Sequence, residues 1–137
     1  MARMTRSDFQ RLARQRAREA RVLLARPTAP GSYYLSGYAV ECALKASIAS
    51  TTRANEFPDR KFANDCWVHN LDQLLSLSPL ASDFALDRNA DPTLATAWNV
   101  AKDWSEAKRY DDNVSLQEAR DMYRAVKRLL RWFRPRW

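Results

Sequence analysis

The amino-acid sequence predicts an all-α fold, and three observations point to it. Apolar residues recur at three- or four-residue intervals in most of the chain, which is the period of a helix packed on a core. No segment alternates apolar and polar residues as a strand does, and capping signals flank the periodic segments. The chain has 137 residues, 46% of them apolar, which suits one core. We therefore expect a single domain over residues 1–137, an up-and-down bundle of four to five helices.

The first predicted helix covers about twenty residues near the start of the chain. Ser7 and Gln10 have the spacing of a capping box, and Pro27 sets the end of the helix. An apolar stripe runs from Phe9 to Leu24. Arginines occupy another face of this helix: Arg11, Arg14, Arg18 and Arg21.

The second predicted helix, residues 33–50, follows a break at Pro30-Gly31-Ser32 and is apolar on almost every side. A helix of that kind is buried, so we expect it at the centre of the domain. Glu41 and Lys45 lie one turn apart on it. They predict either a structural ion pair or a polar centre, inside the bundle or at a dimer interface, where Glu41 meets a basic residue from positions 108–109.

The remaining chain predicts one short helix and two longer ones. Residues 51–68 show no clear period and are expected to be a long loop, and residues 76–90 a loop that can include one helical turn. A short helix from His69 to Leu75 is expected between them. Asp91-Pro92 predicts the start of a helix that reaches Trp104. Ser115 and Glu118 predict a capping box for the last helix, which Pro135 ends.

Basic charge is concentrated at the two ends of the sequence. The formal net charge is +7, made up of +6 in residues 1–26, −5 in residues 27–119 and +6 in residues 120–137. If the first and last helices lie side by side, one face is strongly positive and attracts polyanions. The alternative is two solvated faces whose arginines keep the chain soluble.

Several classes of function lack their motifs in this sequence. Two glycines cannot build a phosphate-binding loop, and a single histidine excludes a histidine-rich metal site. Cys66 and His69 supply only two ligands for zinc, so Cys42 and Cys66 are expected to be packed, unreactive thiols. We expect no metal and no cofactor. No apolar stretch is long enough to span a membrane and no signal peptide is present, which predicts a cytoplasmic protein.

Residues 109–113, Arg-Tyr-Asp-Asp-Asn, concentrate charged and aromatic groups just before the last helix. A helix N-terminus favours anions, so a cation placed there suits joint capture of a phosphate. The alternative is a solvated connection whose Tyr110 packs on the core.

A resemblance to bacterial HEPN-domain proteins extends from about residue 7 to residue 133. Its most specific part is YYLSGYAVECALKA, residues 33–46, which resembles the signature second helix of that family. Residues 68–71, Val-His-Asn-Leu, are similar to the start of the family's short helix. Residues 108–110, Lys-Arg-Tyr, are similar to the Arg-Tyr before its last helix.

The resemblance implies a helical bundle that forms a homodimer. Many members act in toxin–antitoxin or defence systems, often beside a nucleotidyltransferase antitoxin. Catalytic members are metal-independent ribonucleases whose motif is an arginine followed after four to six residues by a histidine. Arg109 matches the arginine, but the histidine positions hold Val114, Ser115 and Leu116, so the motif is incomplete.

Three functions remain open at this point. The first is a non-catalytic HEPN-like protein that binds RNA or a nucleotide. The second is a ribonuclease toxin in which Arg109 stabilises charge and Asp111 or His69 moves the proton. The third is a dimeric module that binds an antitoxin. The predicted ligand-binding residues are Arg109, Tyr110, Glu41, Lys45, Lys108 and Asp111, and the predicted nucleic-acid face is Arg124, Arg128 and Arg131.

Overall fold

The computed structural model describes residues 4–25, 28–52, 60–105, 107 and 112–137. Over these ranges the chain forms helices and no strand, which confirms the predicted all-α class. The described helices are α1 (Arg6–Leu24), α2 (Ala29–Ala49), α3 (Arg60–Cys66), α4 (Leu71–Leu77), α5 (Ala81–Ala90), α6 (Pro92–Ala101) and α7 (Leu116–Phe133).

Helix α1 begins at a capping box formed by Thr5 and Asp8, two residues before the box predicted at Ser7. The Thr5 hydroxyl accepts a hydrogen bond from the Asp8 N–H at 3.2 Å. The Asp8 carboxylate accepts one from the Thr5 N–H at 2.9 Å. These hydrogen bonds lower the pKa of Asp8, because they favour its charged form. An ionised Asp8 completes the box better than the Gln10 amide expected in that role.

Helix α2 lies at the centre of the described fold, as predicted, and packs against α1, α4 and α7. It begins at Ala29, and the break predicted at residues 30–32 is wrong. Pro30 falls in the first turn, where its missing N–H costs nothing, and Ser32 is buried with its hydroxyl donating to the Ala20 carbonyl at 2.8 Å. Small residues on α2 let neighbouring helices approach closely.

The two segments predicted as loops each contain a helix. Helix α3 lies within residues 51–68 and has no buried residue, so its sequence shows no apolar period. Helix α5 lies within residues 76–90 and buries only Phe84. The Phe84 ring packs edge-on against Trp98 and Trp132, at centroid distances of 5.3 and 5.0 Å. The described residues therefore form seven helices, more than the four to five predicted.

The helices α6 and α7 begin where the sequence predicts. Asp91 caps α6, and Ser115 and Glu118 form the capping box of α7. However, α6 ends at Ala101, so Trp104 lies beyond it although the spacing placed it inside. Trp104 is buried against Gly37 of α2, where a Cβ atom would lie 2.2 Å from the indole.

Helices α1 and α7 run antiparallel. At one end, Arg6 and Gln10 of α1 donate hydrogen bonds to the Trp137 carbonyl, at 2.6 and 2.7 Å. At the other end, Leu24 packs in a cluster with Val114 and Ala119. Among the helices of the described ranges, none combines the length and the apolar character needed to cross a bilayer.

Candidate functional site

A groove of about 610 Å³ runs between α1 and α7, and basic side chains line it from both helices. Its floor includes Ala17 and Leu130, which belong to the facing apolar stripes of the two helices. The structure thus brings together the arginine stripes of the first and last helices. The basic residues lining the groove are Arg14, Arg18, Arg21, Arg124, Lys127, Arg128, Arg131 and Arg134.

The helical period explains why α7 carries so many cations on one side. Positions three and four residues apart lie above one another on a helix surface. Arg124, Lys127 or Arg128, and Arg131 therefore form a row that follows the groove. The opposite face of α7 is buried, and the capping box at Ser115 fixes where the period begins.

Six of the seven arginines that line the groove form no ion pair with an acidic side chain in the part of the chain that the structure describes. They are Arg14, Arg18, Arg21, Arg124, Arg131 and Arg134. Arg14 instead lies over the Trp137 ring, 5.3 Å from its centroid. Like charges held close together repel one another, so an anion entering the groove relieves that repulsion.

Arg128 differs from its neighbours on α7. One of its terminal nitrogens pairs with the Asp91 carboxylate at 2.5 Å, and its Nε donates to the Thr93 hydroxyl at 3.1 Å. Its side chain is only 19% exposed. Of the three residues predicted to form the nucleic-acid face, Arg124 and Arg131 are exposed, whereas Arg128 joins α7 to the start of α6.

Tyr123 also lines the groove, although it is not among the residues predicted to bind a ligand or nucleic acid. The Lys127 ammonium lies 5.9 Å from the centroid of its ring. A signal was present in the sequence, because Tyr123, Lys127 and Arg131 succeed one another at intervals of four and share one side of the helix.

A second polar cluster surrounds Glu41 on α2, and its carboxylate is almost fully buried, with 3% of the side chain exposed. One carboxylate oxygen lies 3.4 Å from the Lys45 ammonium, and the other accepts the Nδ1 proton of His69 at 2.9 Å. The Lys45 ammonium also lies 5.8 Å from the centroid of the Trp67 ring. The predicted contact between Glu41 and Lys45 is therefore present, and His69 joins it.

The two cysteines lie near this cluster. Burial raises the pKa of the Cys42 thiol to about 12, and the Glu41 charge contributes. Burial and the Asp65 charge also raise the pKa of Cys66. A raised pKa keeps a thiol protonated, which is a poor state for metal binding or nucleophilic attack. Among the described residues no three His, Cys, Asp or Glu side chains are grouped as a metal site.

Four of the predicted ligand-binding residues, Lys108, Arg109, Tyr110 and Asp111, lie outside the described residues. The predicted contact between Glu41 and a residue of that segment therefore stays a prediction. Comparisons with protein-family models, with curated proteins and with solved structures found no match for this chain.

Proposed function

We propose that this protein binds RNA, without cutting it, through the groove between α1 and α7. The observation that carries the proposal is the collection of basic side chains from two distant parts of the chain in one groove. Arginines that served only solubility would have no reason to gather in one groove from two distant helices. Here cations that meet no acidic side chain among the described residues face one another across a concave surface, which suits a backbone of phosphates.

The chemistry of the groove suits phosphate contacts made by arginine. A guanidinium donates two parallel hydrogen bonds to a phosphate and stays charged at any physiological pH. Of the eight basic residues that the structure describes in the groove lining, seven are arginines. Binding of this kind releases counterions, so the affinity falls steeply as the salt concentration rises.

The resemblance to HEPN-domain proteins adds a biological setting to the proposal. It carries with it a homodimer, a role in a toxin–antitoxin or defence system, and Arg109 as a further phosphate contact. These parts depend on the resemblance, whereas RNA binding in the groove depends on the positions of Arg18, Arg21 and the α7 arginines.

The salt dependence of RNA binding tests the proposal. The wild-type chain and the double variant Arg124→Gln/Arg131→Gln are titrated with a short unstructured RNA over a range of KCl concentrations. Gln keeps the helix propensity of Arg and removes its charge. If both arginines bind phosphates, the slope of log K against log salt should become shallower by about 1.4, or about 0.7 for each phosphate that is no longer neutralised.

The matched control is Arg60→Gln/Lys102→Gln, which lowers the net charge by the same amount outside the groove. Arg60 begins α3 and Lys102 follows α6. The control should keep the wild-type slope. Equal slopes in both double variants would show that only net charge matters and would return the groove arginines to the role of solubilising residues.

A ribonuclease is the second candidate, and the contact between Glu41 and His69 favours it. A buried carboxylate that accepts the Nδ1 proton fixes the tautomer of a histidine, so that Nε2 is the basic nitrogen of the neutral ring. His69 would take the proton of an RNA 2′-hydroxyl while the 2′-oxygen attacks phosphorus and the 5′-oxygen leaves, protonated by water.

This second candidate is tested with the variant His69→Ala. Product analysis by gel, together with a growth test during expression, compares the wild type with this variant. Cleavage lost in His69→Ala would support an enzyme, and intact RNA at concentrations that saturate binding would exclude it.

A further inference from the structure

We propose that Tyr123 is a base-stacking position in the groove and makes the groove selective for single-stranded over duplex RNA. This inference rests on the proposed RNA binding and adds the form of RNA that the groove accepts. It starts from a feature that charge alone does not explain, namely an aromatic ring among the cations lining the groove.

The position of Tyr123 suits a stacking role. Its ring is partly exposed, and it lines the groove together with Arg124 and Lys127 of the same helix. The Lys127 ammonium lies 5.9 Å from the ring centroid. A ring and a cation at that separation can engage the base and the phosphate of one nucleotide together. Because α1 and α7 are antiparallel, Arg21 faces this end of the groove and provides a second phosphate contact.

The groove separates the two forms of RNA by the accessibility of their bases. In an A-form duplex each base is stacked between its neighbours, so its flat face is closed to an aromatic side chain. In a single strand the bases can turn outward and stack on an aromatic side chain. Tyr123 therefore contributes to the binding of a single strand and not to the binding of a duplex.

None of the five tryptophans offers an alternative stacking ring in the groove. Trp98, Trp104, Trp132 and Trp137 are buried, so none of them offers a ring to a base. Trp67 is 71% exposed, but the groove lining does not include it. Among the described residues that line the basic groove, Tyr123 is thus the aromatic one, and Trp67 provides a matched control for loss of an exposed ring.

The experiment compares three RNA ligands at one salt concentration: a mixed-sequence single strand, its perfect duplex, and an abasic strand with the same number of phosphates. The wild type should bind the base-bearing strand at least about fivefold more tightly than the abasic strand. It should also prefer that strand to the duplex, whose greater charge density would favour the duplex if phosphates alone were recognised. Tyr123→Leu should bind the base-bearing and abasic strands equally, whereas Tyr123→Phe and Trp67→Leu should keep the wild-type preference.

The outcomes separate this inference from the proposal on which it rests. Equal wild-type binding of the base-bearing and abasic strands would overturn the stacking role and leave RNA binding intact. Loss of the preference in Trp67→Leu instead of Tyr123→Leu would also overturn it. No binding to any strand at low salt would overturn the proposed function itself. Melting by circular dichroism establishes that Tyr123→Leu is folded, and Tyr123→Gln replaces it as the ring-free variant if it is not.

Discussion

The groove between α1 and α7 and the cluster around Glu41 use the same kinds of charged side chain in opposite ways. In the groove, cations such as Arg124 and Arg131 are exposed and meet no acidic partner among the described residues. Around Glu41, each carboxylate oxygen has its own partner, and the Lys45 side chain is only 10% exposed. In this protein the charges that stabilise the fold are buried and paired, whereas the cations available to a ligand are exposed and lie close together.

Helix α7 carries both kinds of charge, because Arg128 is paired whereas Arg124 and Arg131 are not paired with any described acidic residue. Arg128 lines the groove together with Arg124 and Arg131, yet it is bonded to Asp91 and Thr93 of the α6 terminus. We expect its replacement to disturb the attachment of α6 as well as the groove. For this reason the binding test uses Arg124 and Arg131 alone.

The largest change in the free energy of unfolding is expected from Glu41→Ala, in the buried cluster. The substitution leaves the nearly buried Lys45 ammonium without its carboxylate, and removal of one member of a buried ion pair costs about 3–5 kcal/mol. The free energy of unfolding, measured in urea, should fall by that amount. The Arg124→Gln/Arg131→Gln variant should change it by less than about 0.5 kcal/mol, because exposed positions tolerate substitution.

The control for Glu41→Ala is Glu19→Ala on α1. Glu19 pairs with Arg16 one turn away, but its side chain is 37% exposed. Exposed pairs contribute about 0–1 kcal/mol, so this variant should remain close to the wild type. Similar losses in both variants would mean that the buried position of Glu41 gives it no special role, which would contradict the contrast drawn between the two regions.

A smaller loss is expected from Gly37→Ala, which tests how tightly α2 is packed outside its charged cluster. The added Cβ would lie 2.2 Å from Cδ1 of Trp104, and a buried indole has little room to retreat. Alanine is the better helix former, by about 1 kcal/mol, but overpacking of a core costs about 1–3 kcal/mol. We expect a net loss of stability, seen as a lower melting temperature. Gly31→Ala is the control, since among the described residues its Cβ would meet the flexible end of the Leu23 side chain, at 3.2 Å. A larger loss of stability at Gly31 than at Gly37 would contradict the tight packing of Trp104 on α2.

The periodic and capping signals predicted that α2, α6 and α7 exist and where α6 and α7 begin, and the failures have physical causes. Helix α5 was missed because it is anchored by Phe84 alone, so it shows no repeating apolar pattern. The start of α2 was misplaced because Pro30 and Gly31 were interpreted as a break, although proline suits a first helical turn. Trp104 has helical spacing from Trp98, yet its contact is with Gly37 on another helix, which no local pattern reveals.

The functional residues were predicted less completely than the helices, because the role of each side chain depends on residues that are distant in sequence. The arginine stripes were recognised, but nothing near Arg128 in the sequence indicates its bond to Asp91, 37 positions away. Tyr123 has the spacing of a core residue and also lies at the boundary of the basic face. Such a boundary residue can be assigned only when the neighbouring helix is known. His69 similarly reaches Glu41 across 28 positions.

The smallest expected effect is the change of stability with pH that comes from the ion pair between Asp91 and Arg128. Hydrogen bonds from the Thr93 hydroxyl and from Arg128 lower the pKa of Asp91 from its usual 3.8 to about 2. A carboxyl whose pKa is lower in the folded state stabilises the fold above its unfolded pKa. That stabilisation is therefore complete above about pH 5 and is lost as the pH falls from about 4 to 2.

The variant Asp91→Asn tests this dependence, because it keeps a cap for α6 but loses the charge. Its melting temperature should lie below that of the wild type at pH 6, and the difference should shrink towards pH 2. A difference that stays constant over that range would show that the Asp91 charge does not hold Arg128, and Arg128 would then belong with the free cations of the groove.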